Sequence, residues 1–125
     1  MPEESEYPKT TDELTVSYLR QIEIDQVGLW QIPSAIQRYL HISDTDELRA
    51  ATVEILRSLL SYPDIVAAEY HKDDDRYHVW EKPMDDIINS FKQEWIKSGS
   101  APQLGDDLFI LMHRKNLGRQ HGTIH

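Results

Sequence analysis

Cysteine is absent from this chain of 125 residues. That one absence removes disulfide staples, thiolate nucleophiles and cysteine-ligated zinc together. A cysteine-free chain suits a reducing compartment, so a cytoplasmic location is expected. Long apolar runs are missing too: no stretch approaches the ~18 residues that a membrane-spanning helix needs, and no membrane partner is expected. The opening MPEESEYPKTTDE is acidic and polar, the reverse of the basic-then-apolar order of a secretory signal. Glycines number only five, and none belongs to a phosphate-cradling loop. Ser43, Ser58, Ser90 and Ser98 lack a nucleophile-elbow context, and no Ser–His pair stands in a recognised one. Positive charge is scarce: 13 Lys plus Arg stand against 22 Asp plus Glu, a net charge of −9. Phosphate backbones and anionic lipids repel such a chain, and basic proteins attract it.

What is present is a single domain's worth of periodic sequence. Residues 1–10, with Pro2, Pro8 and three glutamates, read as a disordered acidic leader, residues 11–113 as one globular domain, and residues 114–125 as a basic flexible tail. Thr11 or Asp12 can cap a first helix. Leu14, Tyr18 and Ile22 follow at i, i+4 spacing, with Leu19 beside them, and the pattern fades near Asp25. VGLWQIP then reads as an apolar loop or short strand. Pro33 suits the first turn of a second helix over 33–40 that buries Ile36, Tyr39 and Leu40, followed by His41 as a capping or surface histidine. Asp44 and Glu47 have the spacing of a capping box for a third helix. There, Leu48, Ala51, Ile55 and Leu59 form one stripe and Val53, Leu56 and Leu60 another, so the helix is covered on two sides and ends by Tyr62, before Pro63.

DIVAAEYHKDDDRYHVWE has strand formers on both sides of a polar centre, the pattern of a hairpin with a loop of three to five residues. A fourth helix starts at Pro83, carries Asp85 and Asp86 in its first turn, aligns Met84, Ile88, Phe91 and Trp95, and stops at Gly99. DLFILMH, 107–113, is short and continuously apolar. It is expected to pair with the hairpin in a three-stranded antiparallel sheet.

The hairpin also holds the densest group of chemically capable side chains. His71, Asp73, Asp74, Asp75 and His78 offer imidazole and carboxylate ligands. Adjacent aspartates in a loop fan outward, however, and the calcium-loop spacing with its central glycine is absent, so no metal and no cofactor is expected. Aspartates in such loops commonly bond nearby backbone N–H groups, and Lys72 and Arg76 offset the crowded negative charge. Asp85 with Asp86, and Asp106 with Asp107, have structural readings in a helix start and a pre-strand loop, so no catalytic residue is expected. Trp30, Trp80 and Trp95 could anchor an interface, since tryptophan is enriched at binding hot spots. Tyr77 and Trp80 are an odd number of residues apart on one strand and must face opposite ways, which predicts that one of them is exposed.

The stretches TDELTVSYLRQI, PSAIQRYL and DTDELRAATVEILRSLL, followed by the hairpin, resemble a winged-helix domain over residues 11–81, at the level of topology. The resemblance implies an α+β fold with a winged-helix-like core of three helices and a β-hairpin, plus a fourth helix and a third antiparallel strand. It also implies that the third helix enters a DNA major groove with the hairpin as wing. Charge points elsewhere. Residues 44–61 carry four acids and two bases, and residues 64–81 carry six acids and two bases. Both surfaces have the wrong sign for phosphate, so nucleic acid is not the expected partner.

The expected function is a non-enzymatic, acidic protein-interaction module of the bacterial immunity or antitoxin type, blocking a basic partner through Glu69, Asp73, Asp74, Asp75, Tyr77 and Trp80. One alternative is a DNA-binding regulator using Arg20, Arg38, Arg49 and the 114–119 segment. Another is a metal-dependent hydrolase using His71, Asp73 to Asp75 and His78.

Overall fold

Apolar side chains at helical spacing set three of the four α-helices in the computed structural model, which describes residues 8–103 and 108–117. Helix α1 (Thr11–Ile24) buries Leu14, Tyr18 and Ile22, the expected face. Its cap is Thr10, one residue earlier than expected: the Thr10 hydroxyl accepts the Glu13 N–H at 3.1 Å. A two-residue strand β1 (Val27–Gly28) follows, then α2 (Gln31–Ala35), which runs on as a π turn (Ile36–Leu40). This helix starts two residues before the expected Pro33. Pro33 still lies within the first turn, where backbone N–H groups have no intrahelical partner. His41 ends the segment in the left-handed region, at φ 60°.

Helix α3 (Thr45–Leu60) is capped by the Asp44 carboxylate, which accepts the Glu47 N–H at 3.0 Å. It is covered on two sides, packing against α1 and α4. Leu48, Ala51, Ile55, Leu56 and Leu59 are buried, while Val53 and Leu60 are half-buried. Thr52 is buried among them, a polar residue that hydropathy alone does not place inside. Its hydroxyl donates to the Leu48 carbonyl at 2.7 Å, which removes the penalty of burying it. Each fully buried Leu or Ile here contributes roughly 1.5–3 kcal/mol relative to an exposed one.

Strands β2 (Ile65–His71) and β3 (Arg76–Val79) form the expected hairpin around a four-residue loop. Helix α4 (Met84–Ser98) starts after Pro83 and ends at Gly99, whose φ of +80° is open to glycine without strain. Strand β4 (Ile110–His113) completes the sheet. The order is β1-β4-β2-β3, antiparallel throughout, so β4 sits beside the hairpin as expected and β1 adds a fourth strand at its far edge.

One face of the sheet, with Val27, Ile65, Ala67 and Leu111, joins the helices in the main core. The other face buries Val66, Ala68 and Met112 under Tyr77, Val79, Ile110 and Leu117. The fold is α+β, and its element order is compatible with a winged-helix-like topology. Arg114–Asn116 form a 3-10 turn, tied to the sheet by the Arg114 N–H donating to the Asp64 carbonyl at 2.7 Å. Residues 1–7 of the expected leader, residues 104–107 with Asp106 and Asp107, and residues 118–125 of the expected tail lie outside the described residues. Among the described residues, no helix is long and apolar enough to cross a membrane.

Candidate functional site

Strand β2 begins inside the molecule and ends outside it. Residues 65–68 are buried; Glu69 and His71 are exposed, with Tyr70 half-buried between them. Beyond Ala68 the strand pairs with β3 alone, because its pairing with β4 covers only Ile65 to Ala68. The hairpin tip therefore overhangs the rest of the fold. The turn needs one residue in the left-handed region, and Asp75 takes it at φ 57°, a conformation aspartate tolerates better than most.

The carboxylates at the tip are held apart. Asp74 accepts the Arg76 N–H at 3.2 Å and meets His78 Nε2 at 2.8 Å. Asp75 accepts the Tyr70 hydroxyl on the opposite face of the hairpin. Asp73 is exposed, with no partner among the described residues. The expected outward fan is thus only partly formed: Asp74 and Asp75 bond back to side chains of the two strands, and Asp73 alone stays free of them. Desolvation pushes the Asp74 carboxyl up, but the hydrogen bond and charge of His78, with backbone N–H groups, outweigh it and hold the carboxyl below its ordinary value. The bond to Asp75, followed by desolvation, pushes the Tyr70 phenol up to about 12.

On the face that continues the main core, His71 and His78 stack with ring centroids 4.0 Å apart. Glu69 lies 3.9 Å from His71 Nε2 and accepts the Trp80 indole N–H at 3.0 Å. The cross-strand register explains this grouping, since Glu69 faces His78 and the Trp80 N–H extends the ladder to the Ala67 carbonyl at 2.9 Å. Among the described residues, no group of three or more His, Asp or Glu side chains converges so as to hold a metal ion.

Tyr77 and Trp80 do face opposite ways, but the expectation that one of them is exposed is corrected, because both are half-buried. Trp80 packs edge-on against Phe109 at 4.9 Å, and the Lys82 ammonium lies 4.8 Å over its ring. Tyr77 packs against Tyr70 at 5.5 Å, and its hydroxyl donates to Gln26 Oε1 at 3.0 Å. Both rings have packing partners, so neither aromatic is left as a bare anchor.

Several cations of the DNA-binding alternative have partners of their own, whereas the exposed Arg20 and Arg114 side chains have none among the described residues. On α3, Arg49 pairs with Asp46 at 3.3 Å and Arg57 with Asp85 at 2.8 Å. Arg38 lies over the Tyr39 ring at 5.5 Å. Lys115, from the basic segment, pairs with Glu23 at 2.6 Å across a sequence separation of 92. The bond from Lys115, then its charge, lowers the Glu23 carboxyl, with His113 3.8 Å away adding to the effect. Sequence reading missed this junction because no local pattern connects α1 to the residues after β4. Comparison with protein-family models, with curated proteins and with solved structures finds no match for this chain.

Proposed function

We propose that this chain is a non-enzymatic interaction module, working in a reducing cytoplasm, whose acidic hairpin tip docks a basic protein partner. The observation that carries the reading is the overhang. Glu69, Asp74 and Asp75 each have a carboxylate oriented by an internal hydrogen bond, and Asp73 stands clear beside them. Carboxylates already fixed in place lose little freedom on binding, and a segregated negative tip steers a positive partner during encounter. The winged-helix-like arrangement then acts as a scaffold that presents the wing-like hairpin to protein. Blocking a basic toxin, in the manner of an immunity protein or antitoxin, is the role that fits this charge and geometry.

The test replaces Asp73, Asp74 and Asp75 with Asn and follows association with the basic partner recovered from the native host. At low salt the association rate should fall at least about tenfold, and the deficit should close as salt shortens the Debye length towards ~3 Å at 1 M. An unchanged rate would remove the hairpin from the interface. A steep negative salt dependence of binding to duplex DNA, with no basic protein bound, would favour the regulator instead.

A further inference from the structure

We propose that the stacked His71–His78 pair is a proton-operated release for the acidic tip: on acidification the two imidazoliums cancel the tip's charge, and a basic partner lets go. The inference rests on the docking role given above and adds its regulation. Imidazole is the side chain whose charge ordinarily changes between about pH 5 and 8. Both rings are exposed, so protons reach them from solvent. The cross-strand register brings the two together. His71 faces Arg76 and His78 faces Glu69, which leaves the imidazoles as diagonal neighbours on one face. There they stack with centroids 4.0 Å apart and planes inclined by 20°.

The charge at the tip is small enough for two protons to erase. Residues 69–78 hold four carboxylates, Glu69, Asp73, Asp74 and Asp75, against two fixed cations, Lys72 and Arg76. With neutral imidazoles the balance is −2, and with both protonated it is zero. The protons also arrive beside the carboxylates themselves. His78 Nε2 lies 2.8 Å from Asp74, and His71 Nε2 lies 3.9 Å from Glu69. Each imidazolium therefore pairs with a carboxylate that the tip offers to a partner, and Lys72 and Arg76 are left to balance Asp73 and Asp75. The surrounding groups keep their charge meanwhile. Lys82 lies over the Trp80 ring, whose indole donates to Glu69, while Tyr70 and Tyr77 occupy the opposite face. Lysine and tyrosine ordinarily titrate near pH 10 and carboxylates near pH 4, and the Asp74 carboxyl is held lower still.

The experiment follows deca-lysine binding to the isotope-labelled full chain by NMR at low salt, with the backbone resonances of residues 69–78 as reporters. The peptide is fully charged at about pH 7.5 and about pH 5.5, so a difference between the two belongs to the protein. At the higher pH it should shift the tip resonances saturably. At the lower pH the affinity should fall at least about fivefold. The double variant His71→Asn with His78→Asn should bind as the parent does at the higher pH. It should lose less than about twofold on acidification, the remainder coming from the four histidines elsewhere in the chain. In the parent, the loss should track the titration of the His71 and His78 ring resonances, a readout that carries the test if the double variant does not fold. Tip resonances that ignore the peptide at the higher pH would remove the docking role itself. Binding that is equal at the two pH values, that weakens as much in the double variant, or that falls out of step with the two rings would leave docking in place and overturn the release.

Discussion

Residues 65–68 and 69–71 belong to one strand, yet the first four side chains are buried and the last three are exposed or half-buried. In the first half, one face meets the helical core and the other lies under Tyr77, Val79, Ile110 and Leu117, so both parities are apolar. In the second half β4 is gone, the side chains are exposed or half-buried, and polar groups fill the face that Ile65 and Ala67 began. The strand's chemistry changes where its cover ends. Alternation of apolar and polar residues reports the layers around a strand, and here the layers stop part-way along it.

The largest effect that would break this contrast is Ala68→Asp. Ala68 is 0% exposed on the back face of the sheet, and a carboxylate there lacks both water and a charged partner. The expected loss is about 4 kcal/mol or more, read as a collapse of the urea midpoint. Tolerance of that change would show the back face to be open. Trp80 stands at the junction of the two halves, half-buried against Phe109. Trp80→Ala should reduce stability by about 2–3 kcal/mol, below the range for a fully buried tryptophan.

Smaller effects sharpen the electrostatics of the overhang. Tyr70 titrates about 12 in the folded chain against an ordinary 10.0, so its neutral form is the one that folding favours. Its contribution is complete below pH 10 and is lost as pH rises through about 12. The parent should therefore lose stability over that window more steeply than Tyr70→Phe. Tyr18 behaves alike in both proteins: its buried hydroxyl donates to the Gln31 carbonyl, and desolvation raises it too. Asp74 has the opposite sign. Its carboxyl lies below 3.8, so its contribution is present above that value and fades as pH falls through the lower folded pKa. Asp74→Asn should flatten the acid limb of the stability profile. The smallest expected effect is that of the triple Asn substitution on folding at neutral pH: the urea midpoint should fall only slightly, by what the Asp74–His78 and Asp75–Tyr70 contacts contribute, while the chain stays folded and partner association slows.

Much of this architecture is legible from local pattern. Leu14, Tyr18 and Ile22 mark one helix face, Asp44 and Glu47 mark a cap, and Gly99 marks a stop, because each depends on neighbours within a turn or two. The hairpin and its loop are legible for the same reason. The pairing of Val27 with Leu111 is not, since two residues give no period and the partner lies across most of the chain. Thr52 escapes because its hydroxyl is satisfied by a backbone carbonyl that hydropathy ignores. At the candidate site, the acids could be read, but the cover over Tyr77 and Trp80 could not. Gln26 and Phe109, which supply part of it, are 51 and 29 residues away from those rings.

The sequence by itself determined the types of the elements, the surplus of negative charge and its concentration in the hairpin, because propensity, periodicity and charge are properties of residues and their near neighbours. Only the tertiary structure decided which carboxylates are tied and which aromatics are covered. Those outcomes depend on contacts of a few ångströms between groups distant along the chain, and packing alone sets such distances.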